Sequence, residues 1–148
     1  NAILTISYLD LSDILQDVLG ELHYKVSFKN RWAFRPGFRY FLQKDNGGGK
    51  IAGDTNLKGK PAIGYDKSVR DERLLDSSLL AFRFDILMPN KKGLYRFGYS
   101  KIEDKADIVA PWRGFPTGGF TRAMAQYNWY ANTETIMLRA VYNFSSSF

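Results

Sequence analysis

The chain has 148 residues, enough for one domain or a segment of a larger one, and 16 % of them are aromatic (9 Tyr, 11 Phe, 3 Trp) at a mean hydropathy of −0.32. Cysteine is absent, which excludes a disulfide framework, thiol catalysis and any Cys-built zinc site. The net charge of +6 and pI of about 9.5 raise nucleic acid as a partner, but the arginines stand singly along the chain rather than in one run. No window approaches the roughly 18 consecutive apolar residues of a spanning helix, whereas many aromatics at low hydropathy are what alternating strands produce. The chain opens at Asn1 without an initiator Met or an apolar leader, as expected of a processed chain or a piece of one.

From Ala2 to Asp10 the sequence alternates, with Leu4, Ile6 and Tyr8 on one face. Leu11, Ile14, Leu15, Val18 and Leu19 then recur at helical spacing before Gly20, which predicts a connector with a short helix or turn. Glu21 to Lys29 is the cleanest strand, Leu22, Tyr24, Val26 and Phe28 facing one way and Glu21, His23, Lys25, Ser27 and Lys29 the other. Asn30 and Arg31 predict a hairpin turn. The returning strand carries Trp32, Phe34, Phe38 and Tyr40 opposite Arg35, Gly37, Arg39 and Gln43, with a bulge or distortion expected at Pro36.

From Lys44 to about Asp76 the pattern dissolves into loop chemistry, with Asp45-Asn46-Gly47-Gly48-Gly49 at its start and a brief strand expected at Ile63 to Tyr65. Gly47-Gly48-Gly49-Lys50 lacks the spacing of a phosphate-binding loop. Strand resumes from Ser78 to Met88, turns at Pro89 to Gly93, and continues with Tyr95, Phe97 and Tyr99 against Arg96, Gly98 and Ser100. A second long connection follows from about Lys101 through Gly119. Thr121 to Ala131 alternates weakly but is read as part of that connection, helical or folded inward. Glu134 to Phe148 closes the chain as an amphipathic strand, with Ile136, Leu138, Ala140, Tyr142 and Phe144 on one face and Thr135, Met137, Arg139, Val141 and Asn143 on the other.

About six crossings result, joined alternately by short turns and long loops, which predicts an all-β, antiparallel transmembrane β-barrel with two long outer loops. Residues 1–148 form a single β-barrel domain or the C-terminal segment of one. Counting back from a final strand that ends in the periplasm, the turns at Asn30 and at Pro89 to Gly93 fall on that side. On the polar parity stand Arg35, Arg39, Arg83, Arg96 and Arg139, with Asp85 the main acidic exception. These six are the expected pore-lining residues: a guanidinium column concentrates anions and grips carboxylates through paired N–H donors. Alternation alone does not say which face points inward, so the same arginines also fit the solvated exterior of a soluble β-domain.

Enzymatic chemistry finds little footing. The single histidine, His23, stands between Glu21 and Lys25 on a charged strand face and reads as solvated, and no nucleophile elbow or paired-His motif occurs. No catalytic residue and no cofactor are expected. Loop carboxylates at Asp66, Asp71, Glu72 and Asp76, and at Glu103, Asp104 and Asp107, offer oxygen ligands; Asp104 and Asp107 are the Ca²⁺ candidates, without EF-hand spacing.

The run Pro111-Trp112-Arg113-Gly114-Phe115-Pro116, then Gln126-Tyr127-Asn128-Trp129-Tyr130-Ala131-Asn132-Thr133, then Tyr142-Asn143-Phe144, resembles the C-terminal part of epsilonproteobacterial (Campylobacter/Helicobacter-type) outer-membrane porins. Trp32 to Leu42 and the Asp-Asn-Gly loop after it fit the same resemblance, which covers the whole chain. These proteins are similar in architecture to OprD-type porins. The resemblance implies a large barrel in the bacterial outer membrane, commonly trimeric, passing small polar solutes. It also implies wall arginines that guide carboxylates, at Arg35, Arg39, Arg83, Arg96 and Arg139. A complete member is more than twice this length, so pore formation by these residues alone is a departure from the pattern. Three other readings stand beside it: a small closed barrel that anchors or adheres, a soluble ligand-binding β-barrel, and, ranked last, an RNA-binding β-domain. The soluble barrel predicts Leu22, Tyr24, Val26 and Phe28 turned inward around a cavity.

Overall fold

A computed structural model describes residues 1–47, 75–108, 120–121 and 130–144. They form one antiparallel sheet of β1 (Ala2–Leu11), β2 (Leu15–Tyr24), β3 (Val26–Ser27), β4 (Ala33–Asp45), β5 (Ser77–Leu87), β6 (Gly93–Ile102) and β7 (Glu134–Tyr142). The order is β1-β2-β4-β5-β6-β7, with the two-residue β3 continuing β2 alongside β4, so every long strand pairs with its neighbour in sequence. The six long strands run 9 to 13 residues, the length that carries a tilted strand across a bilayer. β1 and β7 lie at the two edges, and the sheet formed by the described residues is not closed. Among these residues no helix is long and apolar enough to cross a membrane, a test that does not bear on strands.

The turns explain the pairing. Asp13 at φ 61° closes the three-residue connection between β1 and β2, where the Ile14 N–H donates to the Leu11 carbonyl at 2.9 Å. Between β3 and β4 the Phe28 N–H donates to Trp32 O at 2.8 Å and the Arg31 N–H to Phe28 O at 3.0 Å, so the expected Asn30-Arg31 turn also takes in Lys29. Arg31, at φ 65°, supplies the left-handed residue such a loop needs. A short 3₁₀ turn, Pro89–Lys91, joins β5 to β6. These last two turns share one end of the sheet; the long connections, 46–76 and 103–133, leave from the other, as does the tight 12–14 turn.

One local expectation changes and a second narrows. The helical spacing from Leu11 to Leu19 is not a helix: Leu15 onward is β2, paired with β1 from Leu11↔Leu15 to Ala2↔Tyr24. The bulge or distortion expected at Pro36 takes the second form, without a bulge. His23↔Gly37 and Val26↔Phe34 keep one register on either side of it, and Pro36 pairs with Phe84 on the other flank. The ladder to β4 is interrupted at Tyr24 and Lys25, opposite Pro36 and Arg35, where the proline has no N–H to give. Ile63 to Tyr65, the Pro111 to Pro116 run and 122–129 lie outside the described residues, as do Asp66, Asp71 and Glu72.

Candidate functional site

The registers place all even-numbered residues of β1 to β5 on one face, continued by odd-numbered residues of β6 and even-numbered residues of β7. That face is almost wholly apolar, and no described residue covers it. Leu4, Ile6, Leu22, Tyr24, Ile86, Ile136 and Leu138 are all exposed, Leu138 at 80 %. A soluble domain rarely leaves so large a contiguous apolar surface open to water. Phenylalanines pair across its middle, Phe34 with Phe84 (6.0 Å, rings nearly parallel), Phe84 with Phe97 (6.1 Å) and Phe38 with Phe82 (5.3 Å). Of the four residues that the soluble-barrel reading turns inward, Leu22, Tyr24 and Phe28 are 44 to 52 % exposed on this face and Val26 is intermediate.

Tyrosines edge this apolar band along a diagonal. From Tyr99 on β6, Tyr40 on β4 lies one pairing row further along, and Tyr8 on β1 another, each two strands apart. Two residues of stagger per two strands, at about 3.3 Å per residue and about 4.8 Å per strand, is a tilt of roughly 35°. This is the strand tilt of membrane barrels, whose aromatic girdles run level with the interface while the strands slope through it. Tyr142 and Tyr95, one row apart on the neighbouring strands β7 and β6, step in the same direction near the short turns.

The opposite face holds the clustered charges of the sheet, in rows read from the short turns toward the long connections, while Asp10, Lys44, Lys101 and Glu134 stand on the apolar parity only at the end from which the long connections leave. The first charged row is Arg35, Asp85, Arg96 and Arg139. Asp85 is fully buried. It accepts from Arg35 Nη2 at 2.7 Å and Nε at 3.1 Å, and from Arg96 Nε at 2.7 Å and Nη2 at 3.0 Å, with Arg83 Nε at 3.5 Å. The second row is His23, Gly37, Arg83, Gly98 and Met137; the third is Glu21, Arg39, Ala81, Ser100 and Thr135. Glu21 is salt-bridged to Arg39 and hydrogen-bonded to His23. His23 Nδ1 lies 2.9 Å from Arg83 Nη2. A guanidinium only donates, so Nδ1 is the acceptor and Nε2 carries the proton it gives Glu21.

Beyond these rows the same face turns apolar. Leu19, Phe41, Leu79, Ala81 and Ile102 pack under Ile108, while Leu15 packs with Leu75. The long connections are stitched down here by buried polar groups: Gln43 Nε2 donates to Leu75 O (2.6 Å) and Asp107 O (3.2 Å), and Ser77 Oγ to Ala106 O (2.6 Å). Asp17, fully buried in this region, has no hydrogen-bond partner among the described residues for either carboxylate oxygen.

All six sequence-predicted wall residues therefore share one face, and the structure brings five of them together. Arg35, Arg83 and Arg96 converge on Asp85, and Arg39 bonds Glu21. Arg139, exposed, stands directly across from Arg96 without an ion pair to a described residue. The expected free column is instead a belt three rows deep, about 13 Å along the strands, in which counter-ions are built in. Five guanidiniums face two carboxylates, which leaves an excess of three positive charges. Glu21, His23 and Phe120 belong to this belt and were not among the wall residues expected from the sequence. His23 is half-buried and held by three partners rather than solvated, its ring 5.8 Å from that of Phe120. The strict alternation around Glu21 and His23 put them on the arginine parity, but their partners lie on strands distant in sequence.

Of the Ca²⁺ candidates, Asp107 Oδ1 accepts the Ala131 N–H at 2.7 Å and Asp104 is exposed. Among the described residues no three acidic, His or Cys groups gather as a metal site. Nearby, the Lys105 ammonium hydrogen-bonds Glu103 at 2.7 Å, which holds that carboxyl below its ordinary value and raises the lysine.

Among solved structures the chain is similar to the crystal structure of Pseudomonas aeruginosa OccK8 (OprE), with TM-score 0.70 and 14 % sequence identity. The match covers 97 % of this chain and 36 % of that one, so the chain spans about a third of the length of the protein it matches. At this identity the likeness speaks for the fold: a run of adjacent strands from a barrel wall. No family model and no curated protein sequence matches the chain.

Proposed function

We propose that the chain forms part of the wall of an OprD-like porin in a bacterial outer membrane, a passive channel rather than an enzyme. In this reading the tyrosine-edged apolar face meets lipid, and the arginine belt borders water through which small polar or charged solutes diffuse. The observation that carries it is the division of the sheet into an uncovered apolar face and an opposite face holding every clustered charge. Water-lined guanidiniums in net excess draw anions and carboxylates toward the wall, with no bond made or broken. The similarity to OccK8 over barrel strands supports this reading. The aromatic runs quoted from the sequence favour the epsilonproteobacterial type, and a homotrimer follows from that resemblance. Nucleic acid is not among the proposed partners.

One observation favours a second reading. The apolar rows under Leu75 and Ile108 fill part of the arginine face, as the side chains of a small closed barrel with a structural or adhesive role fill its interior.

Single-channel recording separates the two. The protein purified from its native membrane is expected to give discrete conductance steps in a planar bilayer, with an anion-selective reversal potential under a salt gradient. Cation-selective steps would keep the channel and sink the guanidinium mechanism. Folded, inserted protein that gives no steps would leave the closed barrel.

A further inference from the structure

We infer that Phe120 sets the width and the anion preference of the passage at the level of Arg39 and Arg83, an inference that rests on the porin reading. Of the described residues in the connection between β6 and β7, Phe120 is the one delivered onto the arginine belt. Its ring centre lies 4.8 Å from the Arg39 guanidinium carbon and 4.7 Å from that of Arg83. The negative face of an aromatic ring attracts such cations. Both guanidiniums thus stand over the ring while N–H groups are engaged by Glu21 and His23. The ring also packs against the buried cluster that contains Leu19, Phe41 and Leu79. Phe120 therefore marks the boundary where the filled, apolar part of this face gives way to the charged part.

The sequence makes room for it. Gly37 and Gly98 flank Arg83 in one row. A Cβ on Gly37 would stand 3.5 Å from the tip of the ring and 2.9 Å from His23 Nδ1, and one on Gly98 would stand 3.2 Å from the Phe120 carbonyl oxygen. Thr121, buried, fixes the position by a 2.6 Å hydroxyl hydrogen bond to Ser100, one row further along β6. Contacts from β2, β4, β5 and β6 thus hold one ring against two cations. A ring so placed narrows the path beside the belt and withholds two guanidinium faces from passing anions.

A size series at this position tests the inference in the full-length protein, with folding checked by heat-modifiable gel mobility. In planar bilayers under a KCl gradient, Phe120→Ala is expected to raise unitary conductance and move the reversal potential further to the anion side. Phe120→Trp is expected to lower conductance. Phe120→Leu, which keeps bulk without ring electrons, should hold conductance near wild type while moving the reversal potential as Ala does. If Phe120→Ala fails to fold, the Leu and Trp variants decide. Conducting wild type with folded variants unchanged in both quantities overturns this inference alone. Wild type that inserts without conducting overturns the porin reading and this inference with it.

Discussion

Asp85→Ala is expected to lower the stability of the folded protein by about 3 kcal/mol, read as a shift in urea unfolding followed by tryptophan fluorescence in phospholipid vesicles. Removing one member of a buried charge cluster costs roughly 3–5 kcal/mol, because the partners left behind lose their counter-charge. Here the carboxylate is fully buried and serves three guanidiniums from three strands, while Arg35, Arg83 and Arg96 keep 36, 16 and 19 % of their side chains open to water. That access lets solvent take up part of the loss and places the effect at the lower end of the range. Asp85→Asn removes the charge while keeping the shape, and its amide N–H groups would meet guanidinium donors, so it rescues little. In a conducting channel the same substitution raises the positive excess of the belt and shifts the reversal potential toward anions. A variant as stable as wild type would mean that the arginines do not depend on Asp85.

The second large effect lies on the other face. Leu138→Arg, at the middle of β7, is expected to cost about 2–4 kcal/mol in a bilayer, the penalty for a charge at the hydrocarbon midplane of a barrel. Met137→Arg, one residue away on the opposite face, should cost far less if that face borders water as proposed, since its partner across β6 is Gly98, which leaves room for the side chain. The contrast depends on the membrane. If Leu138→Arg were as mild as Met137→Arg, the apolar face would not meet lipid.

Much of this was legible in the alternation. A period of two is fixed by the pleat, so every arginine at the right parity had to share a face, and Arg35, Arg39, Arg83, Arg96 and Arg139 do. The six crossings and the gathering of the short turns near Asn30 and Pro89 at one end were readable for the same reason. Residues 15–19 were not. Leu15 and Leu19 face the packing under Leu75 and Ile108, while Val18 faces the uncovered apolar side, so both faces of β2 are apolar there. A strand apolar on both faces loses its period of two, and Leu15, Val18 and Leu19 then mimic helical spacing.

Parity also says nothing of register. Asp85 was visible as the acidic exception among arginines, but only the pairing of β4, β5 and β6 shows Arg35 and Arg96 on either side of it. The same holds for Glu21 opposite Arg39 and for His23 reaching Arg83 across β4. Those pairings turn a column of open charges into a belt with internal counter-ions. Phe120 was less legible still: its role comes from where a long connection touches the sheet, and no periodicity encodes that. Gly98 was the trace it left, a missing side chain where a Cβ would stand 3.2 Å from the Phe120 carbonyl oxygen.

The central claim is that the apolar face meets lipid and the arginine face meets water, and β7 tests it residue by residue. The sequence contains no cysteine, so each introduced thiol reports alone for these strands. Single cysteines at Thr135, Met137, Arg139 and Val141 are expected to react with a charged, membrane-impermeant maleimide in reconstituted vesicles. Cysteines at Ile136, Leu138, Ala140 and Tyr142 are expected to stay unlabelled until the protein is unfolded. Alternating protection along the strand is the predicted result; equal labelling of both sets, or protection of the arginine-face set instead, would contradict it.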